Sequence, residues 1–322
     1  MFLRRYKEKV AGIKERVRGP KFQEHFHQAQ LFYNSLSSYE KTHLQSAIAF
    51  ELSHCDDPQV YETYTKLLNN IDTSLAEIVA RKVNGATPEG PPCQNRGKES
   101  APLSQLYYAP KKPTIASRRI AILVADGFNM AEVEVVRAML ASEKATTWIV
   151  GPQRGKVYAA LDGKHDAGAY LVADHHFESQ RSTLFDALYI PSGAKHAKTL
   201  TESGRVIHWV REAFGHCKAI AAIGEGKRSF YLGIFHLLTM IQGVRVVHGA
   251  IGLHEVSLNL DAENDHVISS YGVVTTGKYN IKPTALDISP DTKGFVSNFA
   301  YQISKHRCYE REEDGLASKV AY

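Results

Sequence analysis

Prolines concentrated in the middle of this 322-residue chain limit how it can fold. Six of the twelve prolines lie between positions 88 and 113, and Gly85, Gly90 and Gly97 interrupt the same stretch. Proline lacks a backbone N–H and has a fixed φ, so this density excludes a helix or a central strand. Connectors of this length are uncommon inside one compact domain. We therefore predict a first part at 1–84 with a basic N-terminal arm, a linker at 85–117, a domain at 118–309 and a polar tail at 310–322.

The first part carries start signals for short helices. Ser37 and Glu40 form a capping box, and apolar residues then recur at helical spacing. Asp57 before a proline and Asp72 are further N-terminal signals, and Gly85 is placed to end the last helix. These patterns predict a small all-α segment.

After the linker, short apolar runs alternate with amphipathic segments. We predict strands at 119–124, 146–150, 185–190 and 219–223, and helices at 130–140, 206–214, 227–238 and 293–305. Apolar strands separated by helices are typical of a parallel sheet covered on both faces. The predicted fold class is α/β, a flavodoxin-like doubly wound sheet preceded by the all-α segment.

Ligands of open parallel sheets bind at the carboxyl ends of the strands. In several α/β folds the turn after a strand like 219–223 presents a nucleophilic Ser or Cys, but here Gly224 stands at the apex with Glu225 behind it. Gly193 could contribute an oxyanion hole, and Glu132 could tune a nucleophile. Tight-turn glycines and an acid that favours the helix dipole explain the same residues. We predict no catalytic residue at this vestigial elbow.

Other chemistry has little support in the sequence. It contains no G-x-G-x-x-G after the first strand and no P-loop, and His25, His27, His175 and His176 lack metal-ligand spacing. Cys217 precedes a strand and is expected to be a small buried hydrophobe. We expect neither a metal site nor a cofactor in this chain.

Charge and hydropathy limit the partners and the location. The net charge of +5 is small for a nucleic-acid-binding protein, and no apolar run approaches the roughly 18 residues that cross a bilayer. The N-terminus has no secretion signal, and the four cysteines are scattered. We expect no nucleic-acid or membrane partner and a cytoplasmic protein, with peroxisomal or other intracellular locations left open.

Several stretches resemble the C-terminal region of large-subunit haem catalases. Residues 19–35 and 40–53 are similar to the helices that follow the haem barrel there, and 68–76 to the next helices. Residues 185–196, 207–214 and 304–311 are similar to the flavodoxin-like domain that ends those enzymes. The order of parts is the same from about residue 12 to 311.

The resemblance carries implications for the site and for haem. The flavodoxin-like domain is itself similar to PfpI-type and class I glutamine amidotransferase-like proteins. By position, Gly224 then replaces their nucleophilic Cys, Glu132 matches their partner acid, and Gly193 lies in their oxyanion loop. We find no haem-ligand context in this chain, so haem is expected only if a catalase barrel lies upstream.

The resemblance leaves three functions open. The first is a non-catalytic module for stabilisation, oligomer assembly or holdase-type chaperoning in oxidative stress. The second is the tail of a full catalase that decomposes hydrogen peroxide, and the third is a small-molecule binder or PfpI-type hydrolase. The helical segment is expected to contact a catalase-type barrel, a second copy or client proteins through Phe22, Phe26, Leu31, Phe32 and Tyr33.

Overall fold

A computed structural model describes residues 8–9, 11–13, 15–89, 94–161, 168–224, 243–261, 264–279 and 282–320. The chain divides into two compact units, Met1–Ala109 and Pro110–Tyr322. The division lies inside the stretch that the sequence analysis assigns to the linker. In the described residues, no helix is long and apolar enough to cross a membrane.

Unit 1 is helical, and three of its helices begin at predicted signals. Ser37 forms a complete capping box with Glu40, and the carboxylates of Asp57 and Asp72 accept from the backbone N–H groups of Gln59 and Leu75. The helices are α1 (His27–Ser35), α2 (Ser38–Leu52), α3 (Pro58–Asn69) and α4 (Thr73–Lys82). Short 3-10 helices span Pro20–Gln23, Ala101–Leu103 and Gln105–Tyr108.

The end of α4 differs from the prediction in one residue. Asn84, not Gly85, takes the left-handed conformation, with φ of 53°. Asparagine tolerates that region better than most residues, so it can close a helix as glycine does. The Gly85 N–H then donates to the Ala80 carbonyl at 2.8 Å.

Polar contacts join residues 94–109 to the helices of unit 1. Glu40 accepts from the Ser104 hydroxyl and the Gln105 N–H, both at 2.8 Å, while it completes its own capping box. Burial would raise the pKa of Glu40, but these hydrogen bonds lower it below its usual value. Tyr107 and Tyr108, which are apolar enough to suggest burial, are 59% and 69% exposed.

Unit 2 is built on a mostly parallel sheet. Its strands are β1 (Arg119–Leu123), β2 (Thr146–Gly151), β3 (Gly155–Tyr158), β4 (Tyr170–Ala173), β5 (His175–His176), β6 (Ala187–Ile190), β7 (Ala219–Ile223), β8 (Val267–Ser270) and β9 (Val273–Thr276). In the described part the strand order is β5-β2-β1-β6-β7-β9-β8, and β8 alone runs antiparallel to its neighbour. Strands β3 and β4 form a separate antiparallel hairpin.

Helices cover both faces of this sheet. On one face α5 (Met130–Ser142) and α9 (Phe295–Ser304) complete one core cluster. On the other, α6 (Ala194–Glu202), α7 (Gly204–Gly215) and α8 (Gly243–Ile251) complete a second. Strands β6 and β7 are buried at every position because they lie between the two clusters. The predicted α/β, doubly wound fold class is confirmed.

The segment predicted as a polar tail contributes to the core of unit 2. Residues 310–320 contain α10 (Glu310–Glu313) and a 3-10 helix at Ala317–Lys319. The buried Arg311 guanidinium donates to the carbonyls of Tyr271 at 2.6 Å and Phe214 at 3.0 Å. Leu316 and Val320 pack into a core cluster. The domain therefore continues past 309 to at least Val320. The helix predicted at 227–238 lies outside the described residues.

Candidate functional site

The sheet reverses its direction of growth between β1 and β6. Strand β2 lies on one side of β1 and β6 on the other, so the loops after β1 and β6 meet at the carboxyl edge. In doubly wound folds this switch point is where a ligand crevice opens. The loops are residues 124–129 and 191–193.

Glu132 lies in the first turn of α5, is fully buried, and binds the loop that follows β6. Its carboxylate accepts from the Ser192 N–H at 2.8 Å and from the Ser192 hydroxyl at 2.7 Å. The Asn129 side-chain amide donates to it at 3.2 Å. Two of these donors come from one residue, so the carboxylate fixes the 191–193 loop against α5.

Gly193 brings the same loop into direct contact with the loop after β1. Its φ is 138°, and a Cβ at this position would lie 2.2 Å from the Gly127 carbonyl oxygen. The Asn129 N–H also donates to the Ser192 carbonyl at 2.9 Å. Backbone atoms of the chain therefore occupy the space between these loops, where a ligand crevice would otherwise open.

His196 completes this contact, and the sequence analysis did not single it out. Its ring is fully buried, and Nδ1 accepts from the Ala125 N–H at 2.9 Å. Burial lowers the pKa of His196 to about 4, so the ring is neutral near pH 7. His196 could have been found from the sequence by its position three residues after Gly193, in the first turn of α6.

Gly224 lies at the carboxyl end of β7, one strand further from β1. Its N–H donates to the Thr276 carbonyl at 2.9 Å, so this end of the strand is paired with β9. Glu225, the other residue of the predicted elbow, lies outside the described residues. Glycine offers no attacking atom, so the described part of the elbow has no nucleophile.

The charge of Glu132 acts on two tyrosines, the buried Tyr189 and the partly buried Tyr279. Burial raises the pKa of Tyr189 well above its usual value, and the charge of Glu132 raises it further. Burial and the same charge raise the pKa of Tyr279. Both rings lie against Phe295, with centroids 6.3 Å and 5.5 Å away. Both phenols therefore stay protonated and cannot act as bases near neutral pH.

The contacts of Cys217, His175 and His176 indicate structural roles for these side chains. Burial raises the pKa of Cys217 to about 12, which removes the thiolate needed for attack. The predicted burial of Cys217 is observed. His176 accepts from the Glu178 N–H, and His175 lies against the Trp148 ring. In the described ranges, no group of three or more His, Cys, Asp or Glu side chains could hold a metal ion.

Two known families match successive parts of the chain. The family described as catalase-related immune-responsive matches residues 19–83, and the C-terminal domain found in long catalases matches residues 116–255. The chain belongs to the long-catalase family. The predicted resemblance is thus confirmed.

Curated long-catalase relatives match almost the whole chain. Catalase-1 of Neurospora crassa is 43% identical over 98% of the chain and 40% of its own length. Catalase A of Aspergillus fumigatus is 39% identical with the same coverage, and Catalase HPII of Mycobacterium avium is 30% identical over 97% of the chain and 39% of its own length. The chain spans about two fifths of the length of these relatives.

Proposed function

We propose that this chain is a non-catalytic long-catalase module that stabilises protein assemblies in oxidative stress, by self-association or by holding other proteins. The observation that carries the proposal is apolar exposure on unit 1. Phe50 is 63% exposed, Phe22 50%, Leu67 47% and Phe32 43%. Burying one such side chain stabilises by roughly 1.5–3 kcal/mol, which favours a protein partner. Of the residues expected to be uncovered, Tyr33 is buried in unit 1.

The candidate site supports a non-catalytic role. The Glu132 carboxylate holds Ser192, and Gly224 has no side chain with which to react. The reactive groups of a hydrolase are therefore either absent or committed to loop contacts among the described residues.

The position of one tyrosine supports the expectation that this chain holds no haem by itself. The R-x-x-x-Y spacing of a proximal tyrosine does occur, from Arg154 to Tyr158, so the expectation that this spacing is absent was wrong. Tyr158 lies on the outer face of the β3–β4 hairpin and is 45% exposed. A proximal ligand needs an enclosed pocket around the macrocycle, which this face does not provide.

A second candidate function is hydrogen peroxide decomposition by a larger protein that includes this region. It is supported by the relatives, which are catalases of more than twice this length. In that case haem and the catalytic residues belong to another part, and unit 1 is covered by it.

The experiment compares the chain with two double variants by sedimentation and by light scattering of a heat-denatured client protein. Phe32→Ser with Phe50→Ser removes exposed apolar side chains from unit 1. Val172→Ser with Leu184→Ser is the matched control, because these residues are 59% and 50% exposed on unit 2. We expect the unit 1 variant to lose self-association or client protection, and the control to keep it.

Two results would count against the proposal. One is a wild-type chain that is monomeric and leaves client scattering unchanged. The other is an equal loss in both variants, which would make exposed apolar area in general the cause. Oxygen evolution from peroxide by the chain alone would contradict its non-catalytic part.

A further inference from the structure

A cavity in unit 1 lies between helix α1 and the segment 95–98. Its volume is about 240 Å³. Residues of α1, among them Gln30 and Leu31, form one side, and the segment 95–98 forms the other. Drug-sized sites have roughly 300–1,000 Å³, so this cavity suits a smaller ligand.

Hydrogen bonds between distant parts of the chain fix the shape of the segment 95–98. The side-chain amides of Asn34 and Asn95 bond each other in both directions, at 2.8 Å and 2.9 Å. Asn34 also donates to the Lys98 carbonyl at 3.3 Å, and the Gly97 N–H donates to Asn95 at 2.9 Å. Gly97 has a φ of 62°, which suits a tight turn. The two sides of the cavity are therefore positioned before any ligand arrives.

The cavity wall combines carbon surface with cations. Carbon atoms form most of the exposed wall, and Leu31 is among the residues that line it. Arg96 and Lys98 line it as well, and none of the described lining residues is acidic. Neither cationic head group has a hydrogen bond or ion pair within the described part of the chain. Unpaired cations beside an apolar wall favour a ligand with both an anionic and an apolar part.

The N-terminus of α1 is not the anion site. Glu24 already accepts from the N–H groups of Phe26 and His27, at 2.8 Å and 2.7 Å. The same carboxylate lies 3.2 Å from His27 Nδ1. The helix end and His27 are therefore satisfied by the chain, and Arg96 and Lys98 remain as the cations for a ligand.

We propose that this cavity binds a small amphipathic organic anion. Its apolar body contacts the carbon wall at Leu31, and its carboxylate, sulfonate or phosphate head pairs with Arg96 and Lys98. The proposal does not depend on the assembly role of unit 1, since it involves a small molecule and the cations Arg96 and Lys98, although Leu31 was also expected on the partner surface.

Three probes separate the two parts of the proposal: hexanoate, hexanol and acetate. Each is titrated into the ¹⁵N-labelled full-length chain while the side-chain amides of Asn34 and Asn95 and the backbone amide of Gly97 are followed by NMR. We expect saturable shifts with hexanoate, weaker binding of hexanol, and no saturation with acetate. An absence of saturable shifts with hexanoate would overturn the proposal.

The cations are tested with Arg96→Gln combined with Lys98→Gln. Both side chains are exposed and unbonded in the described structure, so the variant should fold. We expect its affinity for hexanoate to fall by about tenfold or more and its affinity for hexanol to stay unchanged. Lys111→Gln with Lys112→Gln makes the same charge change elsewhere and should bind hexanoate like wild type. An equal loss in both variants would show a general charge effect and overturn the site.

Discussion

At the residue scale, polar side chains of the candidate site form hydrogen bonds with other loops of the same chain. Glu132 was expected either to tune a nucleophile at the elbow or to favour the dipole of its own helix. The structure shows a longer-range role, because its carboxylate holds Ser192 on another loop. A sequence pattern indicates that an acid begins a helix, but not which distant loop its carboxylate reaches.

The buried His196 makes the free energy of unfolding depend on pH, and its burial determines the direction of that dependence. Its pKa is about 4 in the folded chain, against 6.5 for the free group. Below pH 6.5 the unfolded chain therefore binds a proton at His196 that the folded chain excludes. The contribution of the neutral, buried His196 to the free energy of unfolding is complete above pH 6.5 and is lost as the pH falls towards 4. A difference of this size corresponds to about 3 kcal/mol.

The measurement is urea unfolding of the chain and of His196→Asn between pH 7 and pH 4. We expect the stability advantage of wild type to shrink as the pH falls through that window. His248→Asn is the control, since His248 is exposed on α8. An advantage that stays constant from pH 7 to pH 4 would show that His196 is not excluded from protonation by the fold.

At the element scale, helix starts and buried strands could be predicted from local sequence. The caps at Ser37, Asp57 and Asp72 depend on bonds within three residues, so their patterns are complete in the sequence. The β3–β4 hairpin and the β8–β9 pair were not predicted. Only Val157 and Ala173 are buried in the hairpin, and its other residues are exposed or partly buried, which leaves its apolar pattern weak.

The close approach of the two switch-point loops makes a prediction about Gly193. Gly193→Ala should lower the free energy of unfolding by about 2 kcal/mol or more, because its Cβ would meet the Gly127 carbonyl at 2.2 Å with φ at 138°. Gly204→Ala is the matched control, since a Cβ there meets nothing within 4 Å. It should change stability by less than about 1 kcal/mol. Equal stabilities of the two variants in urea would contradict the loop contact.

At the scale of the whole molecule, the predicted linker consists of two stretches with different contacts. Residues 95–105 belong to unit 1 and bond to its helices α1 and α2 through Asn95, Ser100 and Ser104. The division between the units follows at Ala109 and Pro110. Composition marked the whole stretch as a connector, but it could not show that polar side chains bind part of it to α1 and α2.

Limited proteolysis tests this difference within the linker. Trypsin should cut first after Lys111, which is exposed and follows the hydrogen-bonded stretch, whereas the bond after Lys112 precedes Pro113 and resists trypsin. Cutting at Arg96 or Lys98 should be slower, because it requires release of the bonds to α1. Mass spectrometry of early fragments gives the order of cleavage. Lys111→Gln with Lys112→Gln should delay the first cut, and an early cut after Arg96 would contradict the expected order.

The extent of unit 2 was underestimated for a compositional reason. The run Glu310–Glu313 is charged, and charged runs are usually solvated. Arg311 within it is nevertheless fully buried, because two backbone carbonyls and the Phe214 ring surround its guanidinium. A charged run can therefore contain a core residue when its partners are main-chain oxygens.

The position of Arg311 also affects how the domain is completed during translation. Its partners, Phe214 and Tyr271, leave the ribosome about forty to one hundred residues earlier, as the separations of 40 and 97 residues require. Until residues 308–320 emerge, the pocket for Arg311 and the core positions of Leu316 and Val320 stay uncovered. This part of the core is therefore completed last, and it stays accessible to chaperones and to neighbouring chains until these residues emerge.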